Sequence, residues 1–217
     1  MRGPPLAELR ERRRTHLRRP LLGCAVLSCV LAIGGQTLAS SAAESADESA
    51  AFDELLKLLA ERRHEHVTFT EVQQLAILDR PLHSSGERLY DAPERLEKRT
   101  LAPRREDLVL EHGMLSVERD HHRRSVALRA FPQAVPFVES LRATLAGDRA
   151  ALTRYFTVQF SGPLGGWTLE LTPIDATLKR SVQHIVITGE TDRIRTVQIR
   201  QSDGDTSTLT IGAEVVP

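Results

Sequence analysis

Apolar residues recur every third or fourth position in "AFDELLKLLAERR", where Phe52, Leu55, Leu56 and Leu59 stand at i, i+3, i+4 and i+7. That spacing puts them on one stripe of a helix with charges opposite, and such a helix must dock on something. From His66 onward the period drops to two. Val67 and Phe69 share one face of "HVTFTEV", "ERLYD" isolates Leu89, and "RLEKRTL" sets Leu96 against Glu97 and Lys98. "DLVLEHG" alternates Leu108 and Leu110 with Val109, and "MLSVERD" and "RRSVALRA" continue through Leu115, Val117, Val126 and Leu128. Gly86, Pro93, Pro103, Gly113 and the polar run Asp120 to Arg124 separate these pieces. Breaks at intervals of roughly ten residues are the mark of an antiparallel meander.

The middle of the chain returns to helical spacing. Val138, Leu141 and Leu145 share a stripe, Gly147 stops that helix, and Asp148 is placed to cap a second one beginning in "GDRAAL". Strands resume with "YFTVQF", "GWTLELTP", "QHIVITG", "RIRTVQIRQ" and "TSTLTIG", which carry Phe160, Trp167, Leu169, Leu171, Ile185, Ile187, Val197 and Ile199. "SDGDTS" joins the last two as an Asp-Gly hairpin turn.

About ten or eleven strands and about three helices in one modest domain predict a mostly β fold whose long sheet must curl. With one apolar face and no second sheet implied by the connections, that face looks inward. The expected architecture is an unclosed antiparallel barrel, a half-barrel, with helices as a lid over its mouth. The lid residues would be Phe52, Leu55, Leu56, Leu59, Val138, Leu141 and Leu145.

The inward face is the functional feature. Aromatic residues make up 4% of the chain, so the lining is mostly branched aliphatic. Any one of these positions can equally be core packing, but an open half-barrel cannot fill itself as a closed small barrel can. Each methylene removed from water contributes about 0.8 kcal/mol, so an acyl chain can be held without a specific polar contact. Lipid-binding lining is therefore expected from Phe69, Leu89, Leu96, Leu108, Leu110, Leu115, Val117, Val126, Leu128, Phe160, Trp167, Leu169, Leu171, Ile185 and Ile187.

Other chemistry finds little support. His121 and His122 lie in a hairpin loop beside Arg123 and Arg124, where neighbouring cations oppose a metal. His64 and His66 flank the end of the first helix, within reach of Glu61 or Glu65, but lack the Glu-x-x-His or His-Glu-x-x-His spacing of a metal site. No Gly-x-Ser-x-Gly elbow is present, and "SSG" at Ser84 to Gly86 falls where the strands want a turn or bulge. "GPLGG" leads into a strand rather than opening a helix, which is wrong for cradling phosphate. The expectation is no catalytic residue, no metal, no cofactor and no enzyme.

The N-terminus changes the charge picture. Lys plus Arg and Asp plus Glu are balanced at 29 each, but Arg2, Arg10, Arg12, Arg13, Arg14, Arg18 and Arg19 crowd the first residues, followed by the apolar run Leu21 to Ile33. This is the layout of a secretory signal, with small residues at Ala39 to Ala43 for cleavage. The preferred division is a signal peptide over 1–43, a short acidic tether over 44–50 and the half-barrel domain over 51–217, with an uncleaved anchor as the alternative. Both cysteines, Cys24 and Cys29, lie within the apolar run, so a mature chain would contain none. Losing the arginines leaves it mildly acidic, which removes the electrostatic basis for nucleic-acid binding.

The string "FTEVQQLAILDRPLHSSGERLYDAPERLEKRTLAPRREDLVLEHGMLSVER", together with the helical insertion at 133–155 and the returning "WTLELTP", resembles the outer-membrane lipoprotein carriers of the LolA-like family. The resemblance covers nearly the whole mature chain. It implies a periplasmic protein of a Gram-negative bacterium that binds acyl chains in the barrel. Such a carrier is monomeric, takes its acylated lipoprotein or lipid cargo from an inner-membrane transporter and passes it to an outer-membrane acceptor. In carriers of the best-known type an Arg before the Pro of the second strand's turn helps control the lid; here Ala92 precedes Pro93. A dedicated lipid cargo, as for relatives encoded in aryl-polyene clusters, fits that departure. The alternative function is a regulatory module of the envelope that senses lipid or binds a partner protein through the same fold.

Overall fold

The computed structural model describes residues 38–130, 135–174 and 176–216. The segment 1–37, which holds most of the expected signal peptide, both cysteines and the arginine cluster, lies outside the described residues.

Helix α1 (Leu38–Glu61) opens the domain. It is continuous through 44–50, the stretch expected as a tether, and it begins inside the segment read as cleavable. Four of the seven residues over 44–50 are Ala or Glu, which are good helix formers. A meander of six strands follows: β1 (His64–Gln74), β2 (Leu82–Asp91), β3 (Arg95–Ala102), β4 (Glu106–Glu111), β5 (Met114–Arg119) and β6 (His122–Ala127). A 3-10 turn (Leu128–Ala130) leads to α2 (Val135–Leu145) and α3 (Arg149–Tyr155). The chain then returns as β7 (Phe156–Ser161), β8 (Trp167–Pro173), the single-turn α4 (Ala176–Lys179), β9 (Val182–Glu190), β10 (Arg193–Gln201) and β11 (Thr206–Glu214). The described residues thus form eleven strands and four α-helices, α4 being one more helix than the sequence pattern shows.

All eleven strands belong to one antiparallel sheet in the order β6-β5-β4-β3-β2-β1-β11-β10-β9-β8-β7. The two meanders are therefore joined through their first and last strands, with Phe69 opposite Ile211 and Val72 opposite Thr208. The sheet is left open between β6 and β7, and the helical insertion is the connection between those two edges. This is the unclosed half-barrel with a helical lid.

Local chemistry places the breaks. Gly86 sits at a bulge where β2 shifts register against β3, and a Cβ there would lie 1.9 Å from the Arg99 carbonyl oxygen. Any side chain would push the strands apart. Gly147 ends α2 with φ +64°, a conformation L-residues avoid, and a Cβ would meet the Leu56 carbonyl oxygen of α1 at 2.1 Å. Asp148 then caps α3, its Oδ1 accepting from the Ala151 amide at 2.9 Å.

Candidate ligand-binding cavity

Register sorts the side chains of β2 to β6 onto two faces. Arg88 lies opposite Lys98, Lys98 opposite Leu108, and Leu108 opposite Val117; Tyr90 lies opposite Leu96, Leu96 opposite Leu110, and Leu110 opposite Leu115, which faces Val126. These residues line the concave side. Glu87, Asp91, Arg95, Glu97, Arg99, Asp107 and Glu111 alternate with them on the convex side. There Arg95 bridges Glu97 at 3.0 Å and Glu111 at 3.2 Å, and Arg99 donates to Glu97 at 2.5 Å.

Leu89 belongs to the convex set, because it pairs with His66 and Glu97. It does not share the lining with Leu96. Its neighbours explain the difference: Arg88 and Tyr90, the more polar residues of "ERLYD", are the pair that turns inward, with 2% and 1% exposure. Leu128 also leaves the pattern, since β6 ends at Ala127 and Leu128 is buried in the 3-10 turn with its amide bonded to the Gly113 carbonyl at 2.9 Å.

The concave side has two regions of different character. Beneath Leu55, Leu56 and Leu59 of α1 it is solid, while at Phe52 an open groove of about 690 Å³ runs between α1, α3 and β7. Phe52, Leu55, Leu56 and Leu59 of α1 join Trp167, Leu169, Leu171, Ile185 and Ile187 in one buried cluster, and Leu55, Leu169, Leu171, Ile185 and Ile187 are fully inaccessible. Phe52 stacks on Phe160 with ring centroids 5.8 Å apart, and the Trp167 indole N–H donates to the Thr191 carbonyl at 3.0 Å. Leu141 and Leu145 of α2 are buried in the same cluster.

Beneath α2 the concave side is hollow. A cavity of about 410 Å³ lies among Leu96, Leu108, Leu110 and Leu115 on one side and Val197, Ile199 and Leu209 on the other. Phe69 lies in its wall, Val138 and Leu141 of α2 contribute to it, and the cavity reaches Gln73 and Gln201 at the strand ends. Of the expected lining, Phe69, Leu96, Leu108, Leu110 and Leu115 meet here with Val138 and Leu141 of the expected lid. Val117 and Val126 continue the same face beyond the cavity.

Sequence patterning missed the charged residues in this wall: Arg88, Lys98 and Glu71. Glu71 is 8% exposed and accepts from Lys98 Nζ at 2.5 Å, Ser207 Oγ at 2.8 Å, Gln73 Nε2 at 3.1 Å and Ser84 Oγ at 3.2 Å. Burial pushes its carboxyl up, but the Lys98 charge and the hydrogen bonds from Lys98, Ser207 and Gln73 outweigh burial and hold it below the usual carboxylate value. Lys98 also stands over the Phe69 ring, 5.1 Å from its centroid. Arg88 donates through Nη2 to Glu65, itself buried. Among the described residues, Arg88 Nε and Nη1 have no acceptor. Leaving such N–H groups unmatched in a protein interior costs on the order of 1–3 kcal/mol. The signal for these residues was period-two spacing itself, since Glu71 follows Phe69 by two, and Arg88 precedes Tyr90 by two.

The histidines take surface partners. His64 Nδ1 lies 2.8 Å from Asp91 and His66 Nε2 lies 3.1 Å from Glu87, rather than near Glu61 or Glu65. No group of three or more His, Cys, Asp or Glu side chains able to hold a metal occurs among the described residues. No described helix is long and apolar enough to cross a membrane.

An open half-barrel with an aliphatic cavity under a helical lid defines a ligand-binding fold. The chain belongs to the family described as outer membrane lipoprotein carrier protein LolA-like, whose model matches residues 42–215. No curated protein shows a significant match to the sequence. Similar solved structures include a LolA superfamily protein, NE2245 from Nitrosomonas europaea, at 11% identity over 78% of this chain and 93% of that one, with a TM-score of 0.43. The MucA/MucB complex of Pseudomonas aeruginosa is similar at 14% identity over 76% of this chain and 56% of that one, TM-score 0.40. LprF from Mycobacterium bovis is similar at 12% identity over 78% and 95%, TM-score 0.30.

Proposed function

We propose that the protein is a non-catalytic carrier that shields the acyl part of a lipid or lipoprotein inside the half-barrel. The observation that carries this reading is the aliphatic cavity of about 410 Å³ beneath α2, in a chain of the lipoprotein-carrier family. Its walls are mostly branched aliphatic side chains, which suit holding an acyl chain. The arginine-rich, then apolar, start of the sequence supports export, and the family supports a periplasmic route from an inner-membrane donor to an outer-membrane acceptor. In this reading the protein acts as a monomer and α2 is the moving part of the lid, because Val138 and Leu141 close the hollow region.

Native mass spectrometry of the protein purified from a periplasm without detergent, followed by organic extraction, tests the proposal. A bound acylated mass that competing fatty acid displaces is the expected result. An apo mass that takes up no fatty acid would overturn the carrier reading and turn attention to a partner-binding role. Leu108→Phe with Leu115→Phe fills the cavity from its wall and should lower uptake at least tenfold while the fold remains.

A further inference from the structure

Resting on that acyl-binding reading, we infer that the cargo is a single-chain amphiphile with an anionic head, carboxylate or phosphate, and that the head docks on Arg88 inside the cavity. Of the charged groups in the wall, Glu71 is already served by four donors and offers nothing to a ligand head. Arg88 is the reverse case. The residue is 2% exposed and borders the cavity, its Nη2 is committed to Glu65, and among the described residues its Nε and Nη1 are without an acceptor. A guanidinium with unmatched N–H groups, enclosed beside an apolar space, is matched best by an anionic oxygen. Lys98 stands across the strand pair from Arg88 in the same wall but is committed to Glu71, which leaves Arg88 as the cation with N–H groups to offer.

Position and size narrow the ligand. Arg88 pairs with Val67, whereas Gln73, where the cavity reaches the strand end, pairs with Leu82. The head therefore sits within the sheet rather than at its rim, and the chain runs along Leu108, Leu110 and Leu115. A volume of about 410 Å³ is near the lower end of the roughly 300–1,000 Å³ typical of small-ligand pockets, which suits one chain rather than several.

The test compares three probes on the purified full chain by calorimetry: dodecanoate, dodecyl phosphate and the neutral 1-dodecanol. The wild type should bind one or both anions about tenfold or more tightly than the alcohol. Arg88→Met leaves Glu65 buried with only Arg62, 3.9 Å away, as a partner, so the decisive variant is Arg88→Met with Glu65→Leu, which removes the buried pair together. It should bind 1-dodecanol as the wild type does and lose the preference for the anions. Equal binding of all three probes by the wild type, or a preference that survives in the double variant, overturns the head-group inference while leaving the cavity reading standing. Binding of none of the three overturns the acyl-binding reading and this inference with it.

Discussion

Leu169 and Leu108 show how differently two leucines of the same apolar face behave. Leu169 is fully inaccessible beneath α1, whereas Leu108 is half-buried against the hollow region. Leu169→Ala should cost about 2–5 kcal/mol in urea unfolding, because its neighbours cannot collapse into the gap. Leu108→Ala should cost less than about 1.5 kcal/mol, since the space beside it is already empty. A charge at Leu169 would unfold the protein, whereas one at Leu110, which lines the cavity, should block acyl loading first. Glu71 behaves as a residue of the second kind with a pH signature. Its carboxyl is held below its ordinary value of 4.5, so its ionised form contributes stability that is fully present above that value. That contribution is lost as pH falls through the lower, folded-state value. Unfolding free energies measured against pH should show the wild type ahead of Glu71→Gln at pH 7, with the gap narrowing as pH falls through and below the ordinary carboxylate range. A gap that does not change with pH would mean that Lys98 does not hold the carboxylate.

At the scale of elements, α1 and α2 carry different duties. α1 places four apolar side chains into the core, while α2 divides its stripe between that core, through Leu141 and Leu145, and the cavity, through Val138 and again Leu141. Gly147 is the joint where the two helices touch. Gly147→Ala would bring a methyl against the Leu56 carbonyl and strain a left-handed backbone, so a loss of about 1–3 kcal/mol is expected in thermal or urea unfolding. Its effect should fall on the α1–α2 contact. Hydrogen exchange should report faster exchange in α2 and in the last turns of α1 than in β8 and β9. Uniformly faster exchange would show that the joint does not act locally.

The molecule as a whole is a half-barrel packed beneath Leu55, Leu56 and Leu59 of α1 and hollow beneath Val138 of α2. Trp167, the single tryptophan, reports only on the filled region, where it is 1% exposed. Loading with a fatty acid should therefore leave its emission nearly unchanged, while a tryptophan introduced as Leu115→Trp should respond. A large shift of Trp167 emission on loading would mean that α1, rather than α2 alone, moves when cargo enters. Openness also has a cost, because β6 and β7 are left as edges. Exposed Arg123 and Arg124 on β6 supply the charge that discourages pairing with another chain.

By itself the sequence determined the local periods and the breaks. Spacings of 3.6 and 2 are properties of neighbouring residues, so the stripe from Phe52 to Leu59, the meander, the Gly147–Asp148 junction and the last hairpin were legible, and with them the half-barrel class. Which face a strand turns inward was legible only where hydrophobicity is lopsided. In "ERLYD" it is not, and Leu89 lies outside while Arg88 and Tyr90 lie inside. Burying an arginine there depends on Glu65, twenty-three residues away in sequence, so no local pattern could announce it. The pairing of β1 with β11, which joins the two meanders and leaves the gap between β6 and β7, was likewise a decision of tertiary structure. So was the division of one aliphatic face into core and cavity. The aliphatic positions of both regions are of the same residue types, and where the helices lie over them decides which are packed and which line a space.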